Sequence, residues 1–149
     1  MIAKYAKADG KDGGYDKDII KQIVKSTVAK REELYAQSEI DLEFLKHTLT
    51  KNGIKRSFCI LGGEPLCEQN TLLTLMTIQY VKQHLPEVKI YLWTGYYYEE
   101  LLKSPDPKIP LILKEVDVLV DGPFVKPLRD ITLKMRGSSN QNIINLKEN

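Results

Sequence analysis

Three short apolar runs in this chain each end in glycine, and a carboxylate stands beside two of those ends. They are Leu61-Gly62-Gly63 followed by Glu64, then Thr94-Gly95, then Asp121-Gly122. Glycine lets a backbone turn sharply or approach a ligand closely, and parallel sheets bind ligands at the carboxyl ends of their strands. A carboxylate and nearby carbonyls are the acceptors that an ammonium group needs. The same residues also suit plain turns and an exposed loop carboxylate. A second polar cluster, Arg136-Gly137-Ser138-Ser139-Asn140-Gln141, is equally suited to hold a carboxylate, phosphate or peptide backbone or simply to turn the chain. Tyr96, Tyr97 and Tyr98 beside the second glycine can flank a planar ring, but tyrosine more often bridges core and solvent.

The thiol and imidazole inventory is small. Cys59 and Cys67 are the two cysteines of the chain, and two thiols of this kind read as reduced and structural, with Cys59 buried on a strand. His47 and His84 fall among charged neighbours on expected helices and read as solvated, so no metal site is expected from these side chains.

The elements that position these residues alternate. Arg56–Leu61, Lys89–Thr94 and Val116–Val120 read as three strands beginning about 30 residues apart, the spacing of right-handed crossovers in a parallel sheet. Between the first two, Leu72, Leu73, Leu75, Met76, Ile78, Val81 and Leu85 give a helix a wide apolar face, with Asn70 as its cap, Pro86 as its stop and Met76 in the core. A short helix begins at Glu99 and breaks at Pro105 and Pro107. Ahead of the first strand, Ile40, Leu42, Leu45 and Leu49 stripe a helix capped by Ser38 and closed by Asn52-Gly53. Further upstream, Ile19, Ile20, Ile23, Val24 and Val28 line one face of an amphipathic helix over residues 16–36, and Met1–Gly14 reads as a polar arm. The class is α/β.

At 149 residues, with 42% hydrophobic and 28% charged content, one folded domain accounts for the whole chain. Residues 1–56 carry a net charge of +3 and the remainder −1, too little asymmetry to imply nucleic acid. No apolar run approaches the ~20 residues needed to span a bilayer, and the polar amino terminus is unlike a signal peptide. A cytoplasmic protein is expected.

Four segments together carry a resemblance: CILGGEPL from Cys59, YLWTGYYYEEL from Tyr91, VDVLVDGPF from Val116 and LKMRGSSNQNIINL from Leu133. In order and spacing they resemble the activating proteins of anaerobic ribonucleoside-triphosphate reductases, within the radical S-adenosylmethionine superfamily. The GGEPL segment is shared across that superfamily, whereas VDG and RGSSNQ are particular to the activases. The likeness is strong over residues 56–146, weak from Ser38 to Lys55 and not visible before, which leaves 1–37 as a divergent segment.

The resemblance implies a partial parallel β/α barrel of the radical S-adenosylmethionine type, with a [4Fe-4S] cluster held by three cysteines near the strand ends. It implies S-adenosylmethionine bound at the open iron and cleaved to a 5′-deoxyadenosyl radical. That radical leaves a glycyl radical on the partner reductase, a protein substrate. Carried onto this chain, Gly62, Gly63 and Glu64 face the methionine ammonium, with Gly95 and Asp121 at the neighbouring strand ends. Arg136, Ser138, Ser139, Asn140 and Gln141 match the motif tail without an assigned role.

One part of the pattern is missing. The family's CxxxCxxC loop precedes the GGE strand, and no cysteine precedes Cys59 here. Three thiolates are needed to leave one iron open. The amphipathic helix of residues 16–36 stands where the cluster segment belongs. Three readings follow: an activase whose cluster ligands come from elsewhere, a homologue without a cluster that binds the reductase or S-adenosylmethionine and performs no radical chemistry, or a remnant that folds but binds neither.

Overall fold

The computed structural model describes residues 41–147; the helix expected over 16–36 and the Ser38 cap lie outside them. Helix α1, Leu42–Thr50, begins at Asp41, whose Oδ1 accepts the Phe44 N–H at 3.0 Å. Asp41 thus takes the capping role expected of Ser38. The helix ends through a 3₁₀ turn, Lys51–Gly53, with Asn52 and Gly53 at φ +61° and +65°. That is the left-handed geometry an Asn-Gly pair supplies.

The three expected strands form: β1, Phe58–Ile60; β2, Ile90–Trp93; and β3, Val118–Asp121. They pair in parallel, Cys59 beside Tyr91 and Tyr91 beside Val118. A fourth strand, β4, Asn142–Asn145, lies antiparallel on β3 and completes the order β1-β2-β3-β4. Among the described residues the α/β class therefore takes the form of a mixed four-stranded sheet. β4 was not anticipated because its NIIN sequence follows a polar run and sits at the sheet edge, where half of its side chains need no apolar character.

Helix α2, Thr71–His84, covers one sheet face, followed by α3, Tyr98–Leu102, and α4, Lys108–Glu115. Helix α4 was also not anticipated, since Pro105 and Pro107 read as breaks. Pro107 is in fact its cap and Pro110 lies in its first turn, where backbone N–H groups have no helical partner to lose. Asn70 precedes α2 but makes no side-chain cap bond; its Nδ2 donates to the Glu64 carbonyl at 3.0 Å instead.

The core lies between this sheet face and helices α2 and α4. Ile78, Ile90, Leu92, Ile112 and Leu119 are fully buried there, and Met76 is buried as expected. Strand alternation explains a correction. Phe58 and Ile60 pack on the core, so Cys59 between them faces the opposite side and is exposed rather than buried. On that same second face Tyr91 and Trp93 are half-buried, and the Trp93 indole N–H donates to the Met135 carbonyl at 2.8 Å. Asp117 closes the amino-terminal edge of the sheet, accepting from Ile90 N–H at 2.7 Å and pairing with Lys82 at 3.1 Å. No helix among the described residues is long and apolar enough to cross a membrane.

Leu92 is 0% exposed whereas Ile131 is 85% exposed. Chemical denaturation should therefore show Leu92→Ala losing about 2–5 kcal/mol of stability, and Ile131→Ala changing it by less than about 0.5 kcal/mol.

Candidate functional site

The carboxyl ends of the three parallel strands meet in a rim built by two carboxylates. Glu64 leaves the β1 end and reaches the β2 end. Its Oε1 accepts the Thr94 hydroxyl at 2.6 Å and the Leu66 N–H at 3.1 Å, and its Oε2 accepts the Gly95 N–H at 2.7 Å. A Cβ at residue 95 would sit 3.3 Å from Oε2, so the absent side chain lets the carboxylate seat closely. Gly62 and Gly63 precede it, Gly62 at φ +105°, and a Cβ on either would meet nothing within 4 Å. Their backbone therefore borders open space, as a ligand cradle requires.

Asp121 does a different job at the β3 end. It is 3% exposed, and both oxygens are engaged: Oδ2 by the Tyr98 N–H at 2.8 Å, Oδ1 by the Asn142 N–H at 3.0 Å and its Nδ2 at 2.9 Å. One carboxylate thus holds the amino end of α3 and the start of β4. It acts on the rim through the backbone it fixes. Gly122, at φ +90°, lies under the Tyr97 ring, where a Cβ would come within 2.9 Å of Cε1. A side chain there would force the ring to shift, on a backbone conformation that other residues rarely adopt.

The polar tail folds onto the same end. Gln141 Oε1 accepts the N–H groups of Gly137 and Ser138 at 2.9 and 3.1 Å, while its Nε2 donates to the Gly122 carbonyl at 2.9 Å. Asn140 Nδ2 donates to the Tyr97 hydroxyl and the Pro123 carbonyl, and Ser138, fully buried, donates to Asn140 and accepts the Val125 N–H. Arg136 donates through one terminal nitrogen to the Gln141 carbonyl at 3.0 Å, while its buried Nε has no partner. Ser139 is exposed, its N–H donating to the Leu128 carbonyl. Ser138, Asn140 and Gln141 are thus engaged in closing the β3–β4 connection, the turn-forming side of the alternatives their residue types left open. At the tip of that connection, the Thr132 hydroxyl and N–H hold the Asp130 carboxyl below its ordinary range, with Arg136 adding to the effect.

Of the three tyrosines, Tyr96 is exposed, Tyr97 covers Gly122 and Tyr98 packs against the core. His47 and His84 are both exposed, the latter stacked on Tyr80 at 4.1 Å, in keeping with solvated histidines. Thr94 is the residue that motif reading missed. The signal was present: Thr94 is in phase with Ile90 and Leu92, so alternation turns its hydroxyl inward, where it must find a partner.

The donor set for an iron–sulfur cluster is not met. The chain has two cysteines, Cys59 exposed on β1 and Cys67 half-buried before α2, both free. No group of three or more His, Cys, Asp or Glu side chains among the described residues is placed to hold a metal ion. The residues fit an ammonium-bearing ligand at Gly62–Glu64 and do not fit a cluster that needs three thiolates.

A family model described as a 4Fe-4S single cluster domain matches residues 23–144. The match begins upstream of the motifs, so family likeness extends into the segment read as divergent. The anaerobic ribonucleoside-triphosphate reductase-activating protein of Vibrio cholerae is 40% identical over 97 residues, covering 65% of this chain and 58% of the relative. Its counterpart in Haemophilus influenzae is 38% identical over 103 residues, covering 69% and 62%. That of Enterobacteria phage T4 is 34% identical over 115 residues, covering 77% and 67%. The chain thus spans about three fifths of the first two relatives. No solved structure matches it.

Replacing Asp121 by Asn turns an NH₂ group toward an N–H donor whichever way the amide is oriented. Asp121→Asn should lower stability by about 2–3 kcal/mol in chemical denaturation, despite its nearly unchanged shape.

Proposed function

We propose that this chain, which belongs to the 4Fe-4S single cluster domain family, serves an anaerobic ribonucleoside-triphosphate reductase as its activating protein. The observation that carries this reading is the strand-end rim: an open Gly62–Gly63 backbone beside a carboxylate braced across two strands. In this reading the methionyl end of S-adenosylmethionine lies on Gly62, Gly63 and Glu64, with Gly95 forming the adjoining wall. Asp121 and the run from Arg136 to Gln141 set the height of that wall by fixing the loops after β2 and β3. The three parallel strands are part of a β/α barrel wall, and the protein works in the cytoplasm, where thiols stay reduced.

Beside a reduced iron–sulfur cluster, S-adenosylmethionine supplies the radical chemistry of such activases. This chain's own residues bind and orient; they do not furnish the three thiolates. In this reading the cluster thiolates come from outside these 149 residues. The two-cysteine count also favours a second reading, in which the chain docks on the reductase without radical chemistry.

Anaerobic reconstitution of the purified chain with iron and sulfide, followed by iron analysis and an assay for 5′-deoxyadenosine, tests the assignment. Substoichiometric iron and no 5′-deoxyadenosine are expected from the chain alone. A full four-iron cluster that cleaves S-adenosylmethionine would contradict both the need for outside thiolates and the docking-only reading.

A further inference from the structure

Glu64 is more heavily engaged than an ammonium-binding carboxylate needs to be. Three donors converge on it, and the shortest bond, 2.6 Å, comes from Thr94. Thr94 is 5% exposed, and its oxygen also accepts the Tyr96 N–H at 3.2 Å. An amide that donates to the hydroxyl oxygen leaves its single proton for the carboxylate, so the direction of this bond is set. A hydroxyl donating to an ionised carboxylate at this distance is among the stronger hydrogen bonds proteins make. The Glu64 side chain has three rotatable bonds, and without an anchor it can swing over the open Gly62–Gly63 backbone.

We propose that Thr94 is a positioning residue: its hydroxyl draws the Glu64 carboxylate against the β2 end, so that the Gly62–Gly63 backbone and the remaining acceptor site on Oε2 stay open to a ligand's ammonium group. The proposal rests on the reading that this rim takes the amino end of S-adenosylmethionine. It assigns Glu64 first to bracing the rim, and to the ligand only through the one acceptor position the brace leaves.

Two substitutions separate the hydroxyl from the shape. Thr94→Val keeps the branched volume and removes the hydroxyl; Thr94→Ser keeps the hydroxyl. Hydrogen exchange of the Gly95 amide, measured by NMR in the free protein, reports the brace, and calorimetric titration with S-adenosylmethionine reports the site. For Thr94→Val, Gly95 exchange should rise about tenfold and affinity fall about tenfold, while Thr94→Ser stays within about threefold in both and core amides such as Leu92 are unchanged. Unchanged Gly95 exchange and affinity in Thr94→Val would overturn the proposal. If Gly95 exchange responds but the unaltered chain binds no S-adenosylmethionine, the brace stands and the cofactor reading fails. If the unaltered chain binds and Thr94→Val binds as well, the cofactor reading stands and the positioning role fails.

Discussion

The Glu64 carboxylate, shared between the Thr94 hydroxyl and the Gly95 amide, is the interaction on which the rim depends. Parallel strands are joined to their neighbours along their length, but the loops that leave their carboxyl ends diverge. Something must hold those loops in register if they are to form one surface. Here a side chain from the β1 end ties down the β2 end, and Asp121 at the β3 end ties down α3 and β4. Each carboxylate is matched to backbone N–H groups, which offsets the cost of removing its charge from water.

These two ties explain why glycine follows each strand, and why it does so for different reasons. Gly95 admits the Glu64 carboxylate, Gly122 lies beneath the Tyr97 ring in a positive-φ conformation, and a Cβ on Gly62 or Gly63 would meet nothing within 4 Å. Only the last pair leaves space for a ligand. The tail then closes the assembly, because Gln141 bridges its own turn to Gly122 while β4 zips onto β3.

Much of this was legible in the residues. Apolar runs ending in glycine marked the three parallel strands, and the spacing of Leu72 to Leu85 marked α2. Helix α4 was hidden because prolines are read as breaks unless their place in the first turn is known, and β4 because an edge strand carries little apolar signal. Cys59 was misread since a short apolar run does not reveal which of its residues face the core. The bracing of Glu64 was beyond the sequence for a further reason: two of its three partners lie 30 and 31 residues away and meet it only when β1 and β2 align. The absence of a third cysteine, by contrast, is plain in the sequence and decides what chemistry these residues can support.

The chain therefore belongs to a cluster family, while its 149 residues supply two cysteines rather than three. The proposed role requires that it dock on a reductase. Anaerobic sedimentation velocity of the purified chain mixed with an anaerobic ribonucleoside-triphosphate reductase measures this directly. The account predicts that the chain moves with the reductase boundary, in proportion to the amount added until the sites are filled. Two boundaries that sediment independently, with the chain shown to be folded, would contradict it.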